Sequence, residues 1–101
     1  MPLFAIVAID RPGRLDRRRA TRDKHLAHLK TLGDRLRIAG PFTAEDGTPC
    51  GSMLVIEADD LDAAEALAAA DPYFAAGVFE SVTVRPWKNV VGSGIAALQL
   101  P

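Results

Sequence analysis

Two side chains in this sequence have the types needed for general acid/base chemistry without a metal: His25 and Asp71. An imidazole titrates near neutrality, with an unperturbed pKa of about 6.5, and a carboxylate bonded to one ring nitrogen fixes its tautomer and favours its protonated form. The two lie far apart along the chain, so a dyad exists only if the fold brings them together. Each also has a purely structural use. Asp71 precedes Pro72 and is a good N-cap for a short turn, and His25 would serve as a core-edge residue bonded to a backbone carbonyl.

Four further residues fit a pocket around such a dyad. Arg22, one helical turn before His25, suits a substrate oxyanion or enolate. Ser52 can donate a hydroxyl hydrogen bond, and Tyr73 and Trp87 offer aromatic walls, although aromatic residues of a small domain also serve its core. His28 follows His25 by three residues, but without an acid at ligand spacing the two make a poor metal site, and no metal is expected. Cys50 has no base beside it in sequence and reads as an ordinary thiol. A glycine-rich phosphate loop is missing, so no nucleotide cofactor is expected either.

The elements that must position these groups follow from the pattern in order. The run Leu3-Phe4-Ala5-Ile6-Val7-Ala8-Ile9 is apolar, partly β-branched, and closed by Asp10 and Pro12-Gly13, which predicts a strand covered on both faces. Asp16 is placed to cap a helix over 17–32, with Leu26, Leu29 and Leu32 spaced at three on its apolar stripe, His25 flanking that stripe at i to the i+4 and i+7 of Leu29 and Leu32, and Arg18, Arg19 and Asp23 facing water. Gly33 ends that helix. A second strand is predicted over 35–39, broken by Gly40-Pro41, and a third over 52–57, the two forming a hairpin. Asp59 or Asp60 caps a second helix over 61–70, with Leu61, Ala64, Leu67 and Ala68 on one face. Pro72 stops it, because proline cannot continue a helix. A fourth strand over 78–85 puts Val78, Val82 and Val84 on one side and Phe79, Ser81 and Thr83 on the other.

The resulting order, β-α-β-β-α-β, is that of a ferredoxin-like α+β fold, a four-stranded antiparallel sheet with both helices on one face. The other face needs a cover. Strand 1 is apolar on both sides and Phe79 is expected there too, so a second subunit packed sheet to sheet is the simplest solution and a homodimer is expected.

Composition sets outer limits. The 101 residues suit one domain, and 49% hydrophobic with 25% charged residues is the balance of a folded globular protein. A single cysteine excludes an internal disulfide and points to a reducing, cytoplasmic setting; the apolar start of the chain is too short for a signal peptide or a membrane span. With a net charge of −1, ten of twelve Lys and Arg lie between Arg11 and Arg37, while nine acids and no base occupy 38–84. The basic stretch lacks aromatic residues for base stacking, so no nucleic-acid partner is expected. Residues 88–101 form an apolar tail with no charge beyond Lys88, expected to dock on the domain or on a partner subunit.

The pieces Arg22-x-x-His25-Leu26-x-x-Leu29, Gly40-Pro41-Phe42, Gly51-Ser52, Asp71-Pro72-Tyr73 with Gly77, and Pro86-Trp87 together resemble the YCII-related domain family over residues 1–87. The resemblance implies a ferredoxin-like subunit forming a dimeric α/β barrel, with His25 and Asp71 as a proposed catalytic pair. It also implies lyase (dehydrochlorinase-like) or isomerase-like chemistry on a small anionic or hydroxylated cyclic ligand, without a cofactor. The competing expectation is a binding or regulatory module that uses the same pocket without turnover.

Overall fold

Strand β1 (Leu3–Asp10) is one of the two inner strands of the sheet, because its apolar run leaves neither face suited to water. The computed structural model describes residues 1–92. After β1 come α1 (Leu15–Leu32), a 3₁₀ turn (Gly33–Arg35), β2 (Leu36–Thr43), β3 (Pro49–Glu57), α2 (Leu61–Ala69), α3 (Pro72–Ala75) and β4 (Phe79–Trp87). The strands form one antiparallel sheet in the order β2-β3-β1-β4, with β1 between β3 and β4. The architecture is ferredoxin-like α+β.

Alternation along the strands divides the side chains between the sheet's two faces. Phe4 and Ile6 of β1 and Leu54 and Ile56 of β3 point to the helical layer and form the core with Leu29 and Leu32 of α1 and Ala64 and Ala68 of α2. The alanines let α2 approach the sheet closely. A second buried group, Ala8, Tyr73, Val78 and Phe79, lies beneath α3. Leu3, Ala5, Val7 and Ile9 occupy the opposite face, where Ile9 and Met53 are 43% and 36% exposed.

Several expectations about the elements are corrected. Helix α1 starts at Leu15 with Arg14 at its N-cap and no capping side chain, so Asp16 lies inside the first turn, where its charge still complements the helix dipole. Strand β2 runs on through Gly40-Pro41, because it pairs only with β3 and a proline is tolerated on an edge strand. The second helix ends at Ala69, with Asp60 accepting the Ala63 N–H at 2.8 Å, and Leu61 at its start is exposed.

Phe79 is the most consequential of these changes. Opposite Ile9 stands Ser81, but opposite Asp10 stands Phe79, so Glu80 is an extra residue in β4. Such a bulge reverses the side-chain alternation. It turns Phe79 in under α3, against Tyr73, and removes it from the open face.

Of the expected docked tail, Val90 and Val91 are 79% and 89% exposed, and residues 93–101 lie outside the described ones.

Candidate active site

His25 lies two turns above the C-terminal end of α1, on a buried stripe that continues through Leu29 and Leu32. Asp71 occupies the bend between α2 and α3. The Ala68 carbonyl accepts the Asp71 N–H, and Pro72 then opens α3. The fold brings the two together: His25 Nδ1 lies 2.8 Å from Asp71 Oδ1, with both side chains nearly buried. A carboxylate can only accept, so Nδ1 carries the proton. The same Oδ1 accepts the Tyr73 N–H at 2.9 Å. Capping α3 and orienting the imidazole are thus one function of one oxygen.

Tyr73 holds the ring from its side. Its phenol stacks on the imidazole with centroids 4.1 Å apart and planes 17° from parallel, and its other neighbour Phe79 meets it edge-on at 5.8 Å. Burial pushes the Tyr73 hydroxyl above the ordinary phenol range, reinforced by the Asp71 charge and opposed by Arg18.

His25 Nε2 has no hydrogen-bond partner among the described residues, yet it is not one of the atoms sealed from solvent. His25 lines a hollow of about 230 Å³ between α1 and the β2–β3 edge. Arg22, Ser52 and Tyr73 line the same hollow, so five of the six residues singled out in the sequence converge, Asp71 doing so through His25. Trp87 does not. It pairs with Leu3 on the opposite face of the sheet and lines a separate recess with Met1, Pro2 and Lys88, because strand parity sends it away from the helices.

Arg18 and Asp10 were missed. Arg18 was expected in water but is 5% exposed, on the same α1 stripe as His25 two turns earlier. Its Nε and Nη2 donate to Asp10 Oδ2 and Oδ1 at 2.7 and 2.8 Å, and Nη2 donates to Ser52 Oγ at 2.9 Å. The guanidinium carbon stands 4.5 Å from the centre of the Tyr73 ring. Burial works to lower the Arg18 pKa, but the Asp10 hydrogen bonds and charge outweigh it, so Arg18 stays charged. The available signal was spacing: counting back seven residues from His25 along its stripe reaches Arg18.

Among the described residues no group of three His, Cys, Asp or Glu is placed to hold a metal ion, and no helix is long and apolar enough to cross a membrane.

A ferredoxin-like α+β sheet carrying a buried His–Asp pair under its helices defines the structural class. Within that class, the chain belongs to the YCII-related domain family, which it matches over residues 2–88. It is 44% identical to protein YciI of Escherichia coli O6:H1 (strain CFT073), the match covering 87% of this chain and 98% of that protein. An uncharacterized protein of Haemophilus influenzae is 42% identical, over 86% and 97% of the two chains. Among solved structures, 5-chloro-2-hydroxyhydroquinone dehydrochlorinase (TftG) of Burkholderia phenoliruptrix AC1100, in complex with 2,5-dihydroxybenzoquinone, is similar at a TM-score of 0.80 and 33% identity. That match covers 87% of this chain and 95% of the other. An antibiotic biosynthesis monooxygenase at 12% identity and a TM-score of 0.56 shares the fold alone.

Proposed function

We propose that this protein is a small-molecule enzyme of the lyase (dehydrochlorinase-like) or isomerase type, in which His25 moves a proton and Asp71 orients and charge-stabilises it. The observation that carries the reading is the 2.8 Å Nδ1–Oδ1 contact of a histidine that lines the hollow and whose Nε2 is neither hydrogen-bonded among the described residues nor sealed from solvent. With Nδ1 protonated and bonded to Asp71, the lone pair lies on Nε2, which takes a proton from the substrate and becomes an imidazolium paired with the carboxylate. The electron pair left behind either expels a leaving group, as in loss of HCl, or accepts the proton back at another carbon, as in isomerisation. Both outcomes balance without a redox partner, so neither calls for a cofactor.

The ligand class is a small anionic or hydroxylated ring. The size of the hollow supports it, since a cavity of about 150 Å³ takes a benzene ring, and so does the hydroxylated quinone bound by TftG. A homodimer, sheet against sheet as a dimeric α/β barrel, is proposed from the half-open apolar face that Ile9, Met53 and Trp87 leave on each chain. A cytoplasmic setting is proposed from the single cysteine.

The test is proton abstraction itself. Solvent deuterium incorporation into ring C–H positions of 2,5-dihydroxybenzoquinone and hydroxyhydroquinones, followed by NMR, should be accelerated by the wild type. It should fall about 10²–10⁴-fold in His25→Ala. Exchange that persists in His25→Ala contradicts the dyad. Ligands that bind and stabilise the protein with no exchange by the wild type would favour the binding module instead.

A further inference from the structure

The second oxygen of Asp71 takes no part in the acid/base step. Its Oδ1 accepts both the His25 and the Tyr73 donors, at 2.8 and 2.9 Å, while Oδ2 has no hydrogen-bond partner among the described residues. Asp71 is 5% exposed, yet Oδ2 is not one of the atoms sealed from every water-sized space. What Asp71 lines identifies that space. It does not border the 230 Å³ hollow; it borders a separate internal cavity of about 10 Å³ between the sheet and helices α1 and α2.

His28 is the other polar residue on that cavity; the remaining lining residues described, Ile6, Ile56 and Phe79 among them, are apolar. It follows His25 by three residues on α1, and its half-buried side chain borders the cavity and also reaches solvent. Asp71 therefore stands between two imidazoles, bonded to one and sharing with the other a space the size of one water. Energetics decide what fills it. A buried carboxylate oxygen without a donor is costlier than an ordinary unmet hydrogen bond, because it bears charge. A cavity of about 10–15 Å³ admits a water where polar partners line it, whereas an all-apolar one stays dry. A water here donates one hydrogen to Oδ2 and keeps its other hydrogen or a lone pair for a His28 ring nitrogen, according to the tautomer.

We propose that this cavity is a water site and that His28, by holding the water against Asp71 Oδ2, is a positioning residue for the His25–Asp71 pair. With both of its oxygens engaged the carboxylate resists rotation about its Cβ–Cγ bond, and Oδ1 stays aimed at His25 Nδ1. The water site stands whatever the chemistry of His25; its effect on proton transfer rests on the function proposed above. Because His28 does not border the hollow, it acts on the rate of proton transfer and leaves ligand affinity alone.

The experiment compares wild type, His28→Gln and His28→Leu. Glutamine keeps a donor and an acceptor beside the cavity, and leucine keeps the bulk but offers neither. The His28 carbonyl, not its ring, accepts the Thr31 hydroxyl at 2.6 Å, so both variants retain that helix contact. Water-to-methyl NOEs at Ile6 and Ile56 report the water with no substrate present. These two side chains are 5% and 0% exposed and border this cavity but not the hollow.

The NOEs should carry the sign of a long-lived water in wild type and His28→Gln and be lost in His28→Leu. Deuterium exchange into 2,5-dihydroxybenzoquinone should be about 2- to 10-fold slower in His28→Leu and near the wild-type rate in His28→Gln, with the quinone bound equally well by all three. Absence of the NOEs in wild type overturns the water site. The same NOEs in all three proteins, undiminished exchange in His28→Leu, equal slowing by glutamine and leucine, or weakened quinone binding in His28→Leu each overturns the role of His28. Failure of the acid/base reading is separate: it shows as undiminished exchange in His25→Ala or none by the wild type, and the NOEs still decide whether His28 holds the water.

Discussion

Replacing Asp71 by Ala and by Asn separates the two functions that meet on its Oδ1. In Asp71→Ala, α3 loses its cap, which costs about 0.5–2 kcal/mol, and the His25 Nδ1–H is left buried without an acceptor, which costs about 1–3 kcal/mol. Together these give a loss of about 1.5–5 kcal/mol, a large part of the roughly 5–15 kcal/mol that holds a small domain together. Asp71→Asn keeps an oxygen in the same place. Both donors retain an acceptor and only the charge assistance is lost, at about 1 kcal/mol. Urea unfolding should therefore rank wild type, Asn and Ala in that order, with Tm falling by at least about 6 °C in Asp71→Ala. Deuterium exchange should rank differently: Asn and Ala both fall about 10²–10⁴-fold, because neither can stabilise the imidazolium. Equal destabilisation by Asn and Ala, or full exchange activity in Asp71→Asn, would refute the reasoning.

Other consequences follow from the same contacts. Arg18→Met leaves Asp10 as an unpaired buried charge and should cost about 3–5 kcal/mol in urea unfolding, while Arg18→Met with Asp10→Leu should recover most of the loss. Tyr73 is the chain's one tyrosine, so phenolate absorbance reports it alone, and its midpoint should lie above 10. Because its folded pKa is raised, its contribution to stability is present below the unfolded value near 10 and is lost as pH rises through the folded one, so Tyr73→Phe should flatten the alkaline end of the stability profile. A methyl group at Gly51 would come within 2.6 Å of the Ala8 carbonyl oxygen, and Gly51→Ala should lower stability by about 1–3 kcal/mol in the same assay. Trp87→Ala should leave quinone binding as it is and weaken self-association in light scattering, given its place on the open sheet face.

What the sequence made legible was local. The β1 run, the alanine-rich α2, the Asp71-Pro72 stop and the Leu29–Leu32 stripe each declare themselves within a few residues, and together they place His25 and Asp71 in one layer. Arg18 was not legible because hydrophobic periodicity assigns arginine to water. Its burial depends on the short turn after β1, which returns α1 over Asp10 and makes a charged pair part of the buried stripe. Phe79 depended on a bulge, a one-residue event that leaves no mark in a pattern of alternating side chains. Trp87 was assigned to the pocket as an aromatic wall, but its pairing with Leu3 sets it on the other face.

The central claim is that Asp71 holds the His25 proton on Nδ1 and leaves Nε2 free to act. Long-range nitrogen–proton NMR correlation of the neutral imidazole, with His28→Gln to assign the two histidines, measures this directly. The account predicts a protonated Nδ1 and a bare Nε2 in His25. A proton on Nε2, with Nδ1 unprotonated, would contradict it.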